Sequence, residues 1–284
     1  MSRCARGLRH LLLAMQFFTR VPLPPRLAAW VGFSPVMMQA ALGHLPAVGW
    51  LVGGVAALGL TLAGAVLGTA SAGVQLAAGG LATLATVVLT GAFHEDGLAD
   101  VADALGGHAG RETALRIMKD SRLGSYGTLA LILVLLLKVS LLAALLAHGL
   151  SLAMTGLLVG HVCSRWLPLW LVASLPYVGG QGEPTQADGQ GSGSKSRTVT
   201  AQAGWGTVWQ GGLWALPALV LLWCGFGDTA LLGAGLVLAA LGVWLRRVFA
   251  RRLGGVTGDC LGASQQLAEL GLYGVLVATL PAPV

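Results

Sequence analysis

Long apolar runs alternate with short charged stretches along almost the whole chain. Residues 40–67, 72–93, 128–148, 151–175, 207–226, 229–248 and 267–281 are predominantly apolar. All but the last reach the roughly 20 residues that an α-helix needs to cross a bilayer. The last run is short, and is expected to be tilted or incomplete. Ahead of them, Leu8, Leu11, Leu12, Met15 and Phe18 fall on one helical face, which predicts an interfacial helix over 7–19. This start imitates a signal peptide. Its apolar run, however, is only Leu11–Phe18, and Thr19-Arg20-Val21-Pro22 replaces a small-residue cleavage site, so the helix is expected to stay attached. The pattern predicts an all-α, polytopic helical bundle of about seven transmembrane helices plus the interfacial helix, forming one integral membrane domain over 1–284.

Composition agrees. The chain is 55% hydrophobic and only 10% charged, against about 25% charged in soluble domains. Glycine is abundant, and Gly49-xxx-Gly53, Gly64-xxx-Gly68 and Gly156-xxx-Gly160 have the spacing that lets membrane helices approach closely. Fifteen of the seventeen basic residues fall in the N-terminal segment, in the stretches 94–127, 176–206 and 249–266, and, as Arg246 and Arg247, just ahead of the last of these. The opposite turns, near 68–71, 149–150 and 227–228, carry none. That bias puts the three long loops on the cytoplasmic side of the cell (inner) membrane. It also accounts for the net charge of +6 through topology, so no nucleic-acid partner is expected. Homo-oligomerisation is left open. Cys4, Cys163, Cys224 and Cys260 form no CxxC pair and are read as reduced thiols. Residues 179–196 are rich in Gly, Ser and Gln and read as a segment or lid with little fixed structure.

The chemistry is concentrated in His94-Glu95-Asp96-Gly97-Leu98-Ala99-Asp100-Val101-Ala102-Asp103. The whole chain has eleven acidic residues, and four of them stand here. In a helix, Asp96, Asp100 and Asp103 would share one face. Three carboxylates on one face need a positive counter-charge, for which an oxygen-held Mg²⁺ is suited. The competing reading is a solvated acidic helix start. Arg116, Lys119 and Arg122 follow, interleaved with Asp120, and end in a Gly-rich turn. Such groups beside a carboxylate-held metal suit phosphate oxygens. In Gly254-Gly255-Val256-Thr257-Gly258-Asp259, glycines flank a lone carboxylate, and Asp259 reads equally as a further ligand or as a helix cap. His161 and Arg165, four residues apart, and Lys138 are placed inside spans, where a charge normally faces the bundle and has a partner. For Lys138 an internal pair is expected. Asp228 and Glu269 have no companions nearby in sequence, and read as a turn residue and a helix-start charge.

His94-Glu95-Asp96-Gly97-Leu98-Ala99-Asp100-x-x-Asp103-x-x-Gly106-Gly107 and Ile117-Met118-Lys119-Asp120-Ser121-Arg122-x-Gly124-x-Tyr126-Gly127 resemble the cobalamin synthase family of adenosylcobinamide-GDP ribazoletransferases. Phe17-Phe18-Thr19-Arg20-Val21-Pro22 and Gly255-Val256-Thr257-Gly258-Asp259-x-x-Gly262-Ala263 match the same pattern in order, and the likeness runs from about residue 10 to 270. The resemblance implies an integral membrane, Mg²⁺-dependent enzyme of late vitamin B12 assembly. Such an enzyme joins adenosylcobinamide-GDP to α-ribazole, or its 5′-phosphate, and releases GMP. Carried onto this chain, Asp96, Asp100, Asp103 and Asp259 would hold the metal and Arg116, Lys119, Asp120 and Arg122 the substrate phosphates. His94 or Glu95 would accept the hydroxyl proton. Other readings are a CDP-alcohol phosphotransferase, a prenyltransferase, or a cation or metabolite transporter. The first expects Arg where Asp100 stands, and the last expects mid-membrane carboxylates in two related halves.

Overall fold

The computed structural model describes residues 2–68, 71–179 and 204–281. Most of the expected 176–206 loop, with Lys195 and Arg197, lies outside the described residues. The described residues are helical and contain no strand; Tyr177 and Val256 form an isolated parallel bridge. The helices are α1 (Arg3–Phe18), α2 (Pro25–Val31), α3 (Pro35–Leu42), α4 (Leu45–Leu67), α5 (Ala72–Thr90), α6 (Phe93–Gly106), α7 (Arg111–Ile117), α8 (Ser125–Ala147), α9 (Leu150–Cys163), α10 (Leu167–Ser174), α11 (Trp205–Arg252) and α12 (Gly258–Thr279).

Among the described residues, five stretches are long and apolar enough to cross a membrane: α4, α5, α8, α9 with α10, and α11. At about 1.5 Å per residue, the 48 residues of α11 would run more than twice the thickness of a hydrocarbon core if straight. The helix instead breaks at Gly227, whose φ of 79° and ψ of −173° are non-helical. Its two arms correspond to the expected runs 207–226 and 229–248. The chain is a polytopic, all-α membrane protein.

The seventh expected run, 267–281, is part of α12, which starts nine residues earlier and is not among the five apolar stretches. The reason is its position. It packs against α6, α8, α9, α10 and α11, so Ser264, Gln265, Gln266 and Glu269 are buried in protein and do not face lipid. A helix shielded by neighbours can carry polar groups that a lipid-facing one cannot. Close seating of small residues draws the bundle together: a Cβ at Gly49 would lie 2.4 Å from the His161 carbonyl oxygen on α9.

The N-terminal helix begins four residues before the expected start and packs on α2, α3 and α4 through Leu13, Ala14 and Phe18. The short helices α2 and α3 were not expected as separate elements. Ser34 caps α3 by accepting from the Met37 amide, and both helices open on proline at a position where no amide is needed.

The described parts of the long loops gather at one end of the bundle. Arg111 donates to the Leu253 carbonyl at 2.7 Å, and Arg252 donates to the carbonyls of Leu105, Gly107 and Ala109. The Val178 amide donates to Val256 O, and the Val256 amide to Pro176 O. His148, in the turn after α8, instead lies against the carbonyl of Pro281, marking the other end.

Candidate active site

The acidic motif is helical, as its spacing required. Gly91 and Ala92 both take left-handed backbone, ending α5 and redirecting the chain into α6 one residue later. Around α6 the residues divide. His94, Glu95, Leu98 and Ala99 are buried; Asp96 is exposed, and Asp100 and Asp103 are half-buried.

Asp259 reaches the same place from the far end of the sequence. A Cβ on Gly97 would lie 2.8 Å from the Asp259 carbonyl oxygen and 3.0 Å from its Cα, so the backbone of α12's first turn rests directly on α6. Gly262, one turn on, continues the seam against His94 and Gly97. Thr257 starts α12 by accepting from the Cys260 amide at 3.2 Å, and its hydroxyl lies 3.3 Å from Asp259 Oδ2.

Like charge at this seam is uncompensated. Burial, then the neighbouring charges of Asp259, Asp96 and Asp103, push the Asp100 carboxyl up to about 7. The donors are all carboxylate oxygens, which suit a hard divalent ion such as Mg²⁺. Among the described residues, no three His, Cys, Asp or Glu side chains stand close enough together to hold a metal ion as they are placed. The arrangement brings together Asp96, Asp100 and Asp259 as an open acidic face.

Asp103 is differently engaged. Its Oδ2 accepts from the Gly124 amide at 2.7 Å and its Oδ1 from the Gly127 amide at 2.8 Å. Any side chain at 124 or 127 would fall on that carboxylate, which explains the glycines of the second motif. Asp103 therefore closes the start of α8, with one backbone amide on each oxygen.

The basic motif stands on the surface. Arg116 and Lys119 are exposed, on and just after α7. Arg122 is also exposed and forms an ion pair with Asp120 at 2.5 Å. Asp120, half-exposed, thus faces a guanidinium of its own segment.

Behind the acidic face lies a buried polar network that the sequence reading missed. Glu269, read there as a companionless helix-start charge, is 1% exposed. Lys138 Nζ lies 2.7 Å from its Oε1 as an ion pair, giving Lys138 the internal partner expected of it. Glu269 accepts from the Tyr273 hydroxyl at 3.1 Å and from the Gln265 side-chain amide at 2.7 Å, while His161 Nδ1 lies 3.3 Å from it. Arg165 donates to the His161 carbonyl. Gln266 donates to both Gln265 Oε1 and Glu95 Oε1 at 3.0 Å, and so connects this network to α6. The signal available in sequence was the row Gln265, Gln266, Glu269, Tyr273, at helical spacing on an otherwise apolar segment. Asp228 does have a partner, accepting from the Trp223 indole at 2.7 Å across the Gly227 turn.

Residues 10–277 match the family described as Cobalamin-5-phosphate synthase. The chain belongs to that family. Proteins named adenosylcobinamide-GDP ribazoletransferase are similar over nearly their whole length. The one from Albidiferax ferrireducens is 46% identical, covering 94% of this chain and 96% of its own. That from Polaromonas sp. is 45% identical over 96% and 98%, and that from Ralstonia nicotianae 40% over 98% of both. No solved structure matches the chain. Both acidic segments, Asp96–Asp103 and Asp259, lie within the matched span.

Proposed function

We propose that this member of the family transfers the cobinamide-phosphate group of adenosylcobinamide-GDP to α-ribazole or its 5′-phosphate, releasing GMP. The observation that carries the reading is the seam at Gly97, where the family's two acidic motifs meet although about 160 residues separate them. A late step of vitamin B12 assembly, Mg²⁺-dependent and at the membrane, fits this face.

Asp96, Asp100 and Asp259 would hold Mg²⁺, which supplies charge neutralisation at the phosphate oxygens when bound. In phosphoryl transfer the protein contributes mostly positioning and electrostatics. Here α6 and α12 set the carboxylates, and Asp103 fixes the segment that carries the cations. Arg116 on α7 and Lys119 just after it, which have no acidic partner among the described residues, would meet substrate phosphates, and Arg122 would join them by leaving Asp120. His94 and Glu95 are turned into the bundle. Their part is to hold the acidic face from behind, and the proton-accepting role expected for them finds no support in this geometry. The excess of Lys and Arg at this end supports a cytoplasmic orientation.

The test is GMP release by the purified, lipid-reconstituted protein given adenosylcobinamide-GDP and α-ribazole, with Mg²⁺ or with a chelator. Asp96→Asn, Asp100→Asn and Asp259→Asn are each expected to abolish turnover or raise the Mg²⁺ requirement at least tenfold while folding normally. Asp103→Asn should instead lower thermal stability. Turnover that survives chelation, or full activity in two of the first three variants, would sink the assignment.

A further inference from the structure

A second site lies away from the acidic face, between the arms of α11. A cavity of about 650 Å³ runs along this hairpin, floored by α9, α10 and Leu272 of α12. Leu216, Leu219 and Leu222 line one arm; Leu231, Leu238 and Gly242 line the other. Its polar atoms are few, and its aromatic lining is Trp166, Trp170 and Trp209. In volume it falls among ligand pockets; in chemistry it takes only hydrocarbon.

Three observations say what fills it. First, Leu231 to Gly242 is about 16 Å of helix at ~1.5 Å per residue, close to the roughly 15 Å of hydrocarbon in one bilayer leaflet. The groove thus has the length of a single acyl chain. Second, it follows the apolar hairpin α11, which spans the membrane, so its opening faces lipid and not water. Third, helical register continues the lining positions Gly235, Ala239 and Gly242 into Arg246. Arg246 is exposed and lies nineteen residues from the Gly227 vertex, level with Trp209 at eighteen. That level is the site's end of the bundle, fixed by Arg252 on the 105–109 carbonyls.

We propose that this groove is a binding site for an anionic phospholipid of the leaflet on the active-site side. One acyl chain lies between the arms of α11, and the headgroup phosphate is held at Arg246. The site is independent of the reaction proposed above.

Gly235 provides a clean block, since a Cβ there meets nothing within 4 Å. A side chain added there starts in open space on the cavity wall, so a large one is directed into the groove. Purified protein is equilibrated with nanodiscs of phosphatidylglycerol or phosphatidylcholine, released into mild detergent and weighed by native mass spectrometry. The expected result is one retained lipid per chain, with phosphatidylglycerol favoured about fivefold. Gly235→Phe should release either lipid while gel filtration and thermal midpoint stay near wild type. Should that variant misfold, Gly235→Leu serves the same purpose. Arg246→Gln should bring the lipid ratio to about one, whereas Arg247→Gln, a further ~100° round the helix, should change it less. Retention unchanged by a folded Gly235 variant would overturn the proposal. So would a lipid ratio indifferent to Arg246, no retained lipid at all, or a dimer that Gly235→Phe splits, which would make the groove a protein interface.

Discussion

Gly97→Ala is the smallest change that separates the proposed site from the stability of the bundle. The added methyl would meet the Asp259 carbonyl oxygen at 2.8 Å, its Cα at 3.0 Å and its carbonyl carbon at 3.3 Å. All three are backbone atoms of a helix start, so no side-chain rotation can relieve them. Restoring an ordinary contact of 3.4 Å moves α6 and α12 apart by about 0.6 Å. Overpacking of this kind costs about 1–3 kcal/mol of stability. Misplacing reacting groups by about 1 Å can cost about a hundredfold in rate, so ~0.6 Å should cost on the order of tenfold. Gly262→Ala, with its nearest atoms at 3.3 Å, should do less, and Gly107→Ala, with nothing within 4 Å, should do nothing. The assay is GMP release at saturating substrate across a Mg²⁺ titration, beside thermal unfolding of each variant. A Gly97→Ala enzyme with normal turnover and Mg²⁺ affinity would refute the idea that the seam sets the acidic face.

Three further outcomes follow from the same geometry. Asp100 has a folded pKa of about 7 against an ordinary 3.8, so folding binds a proton between those values. Without divalent ions the thermal midpoint should therefore fall as pH rises from about 4 to about 8; Mg²⁺ or Asp100→Asn should flatten that fall, and a slope unchanged in the variant would count against it. Glu269→Gln should cost about 3–5 kcal/mol by leaving Lys138 buried without its counter-charge, and Lys138→Met should restore part of the loss when added; strictly additive losses would contradict a coupled pair. After the exposed Cys4 and Cys224 are changed to Ser, a cysteine at Gly110 should label only from the cytoplasm and one at Thr229 only from outside, and labelling of both from one side would overturn the topology.

The sequence disclosed the parts of this molecule that depend on local pattern. Apolar runs foretold the spans because bilayer thickness dictates their length, and the i, i+4, i+7 acids foretold the face of α6. Glu269 was misread because its partners come from α8, α9 and α12, and only packing makes a buried carboxylate out of an isolated one. The same limit hid the role of Asp103, whose acceptors are satisfied by amides more than twenty residues later. Helices α2 and α3 carried their start signals, Ser34-Pro35 and Pro24-Pro25, but each is too short for periodicity to register. The α12 boundary was set too late because a polar, protein-enclosed helix does not satisfy a hydropathy criterion.

The segment from Gly107 to Leu123 is fastened at both ends by groups outside it. Arg252 holds the carbonyls at its start, and Asp103 holds the amides just after its end. Between the two fastenings Arg111 donates to the Leu253 carbonyl, and Ala114, Leu115 and Met118 are buried in the core. In engineering terms only its exposed positions, such as Arg116, Lys119 and Arg122, are exchangeable: they can be re-sequenced without moving α6 or α8. Variation can thus accumulate at those exposed positions, while the carboxylates of α6 stay where the helices put them.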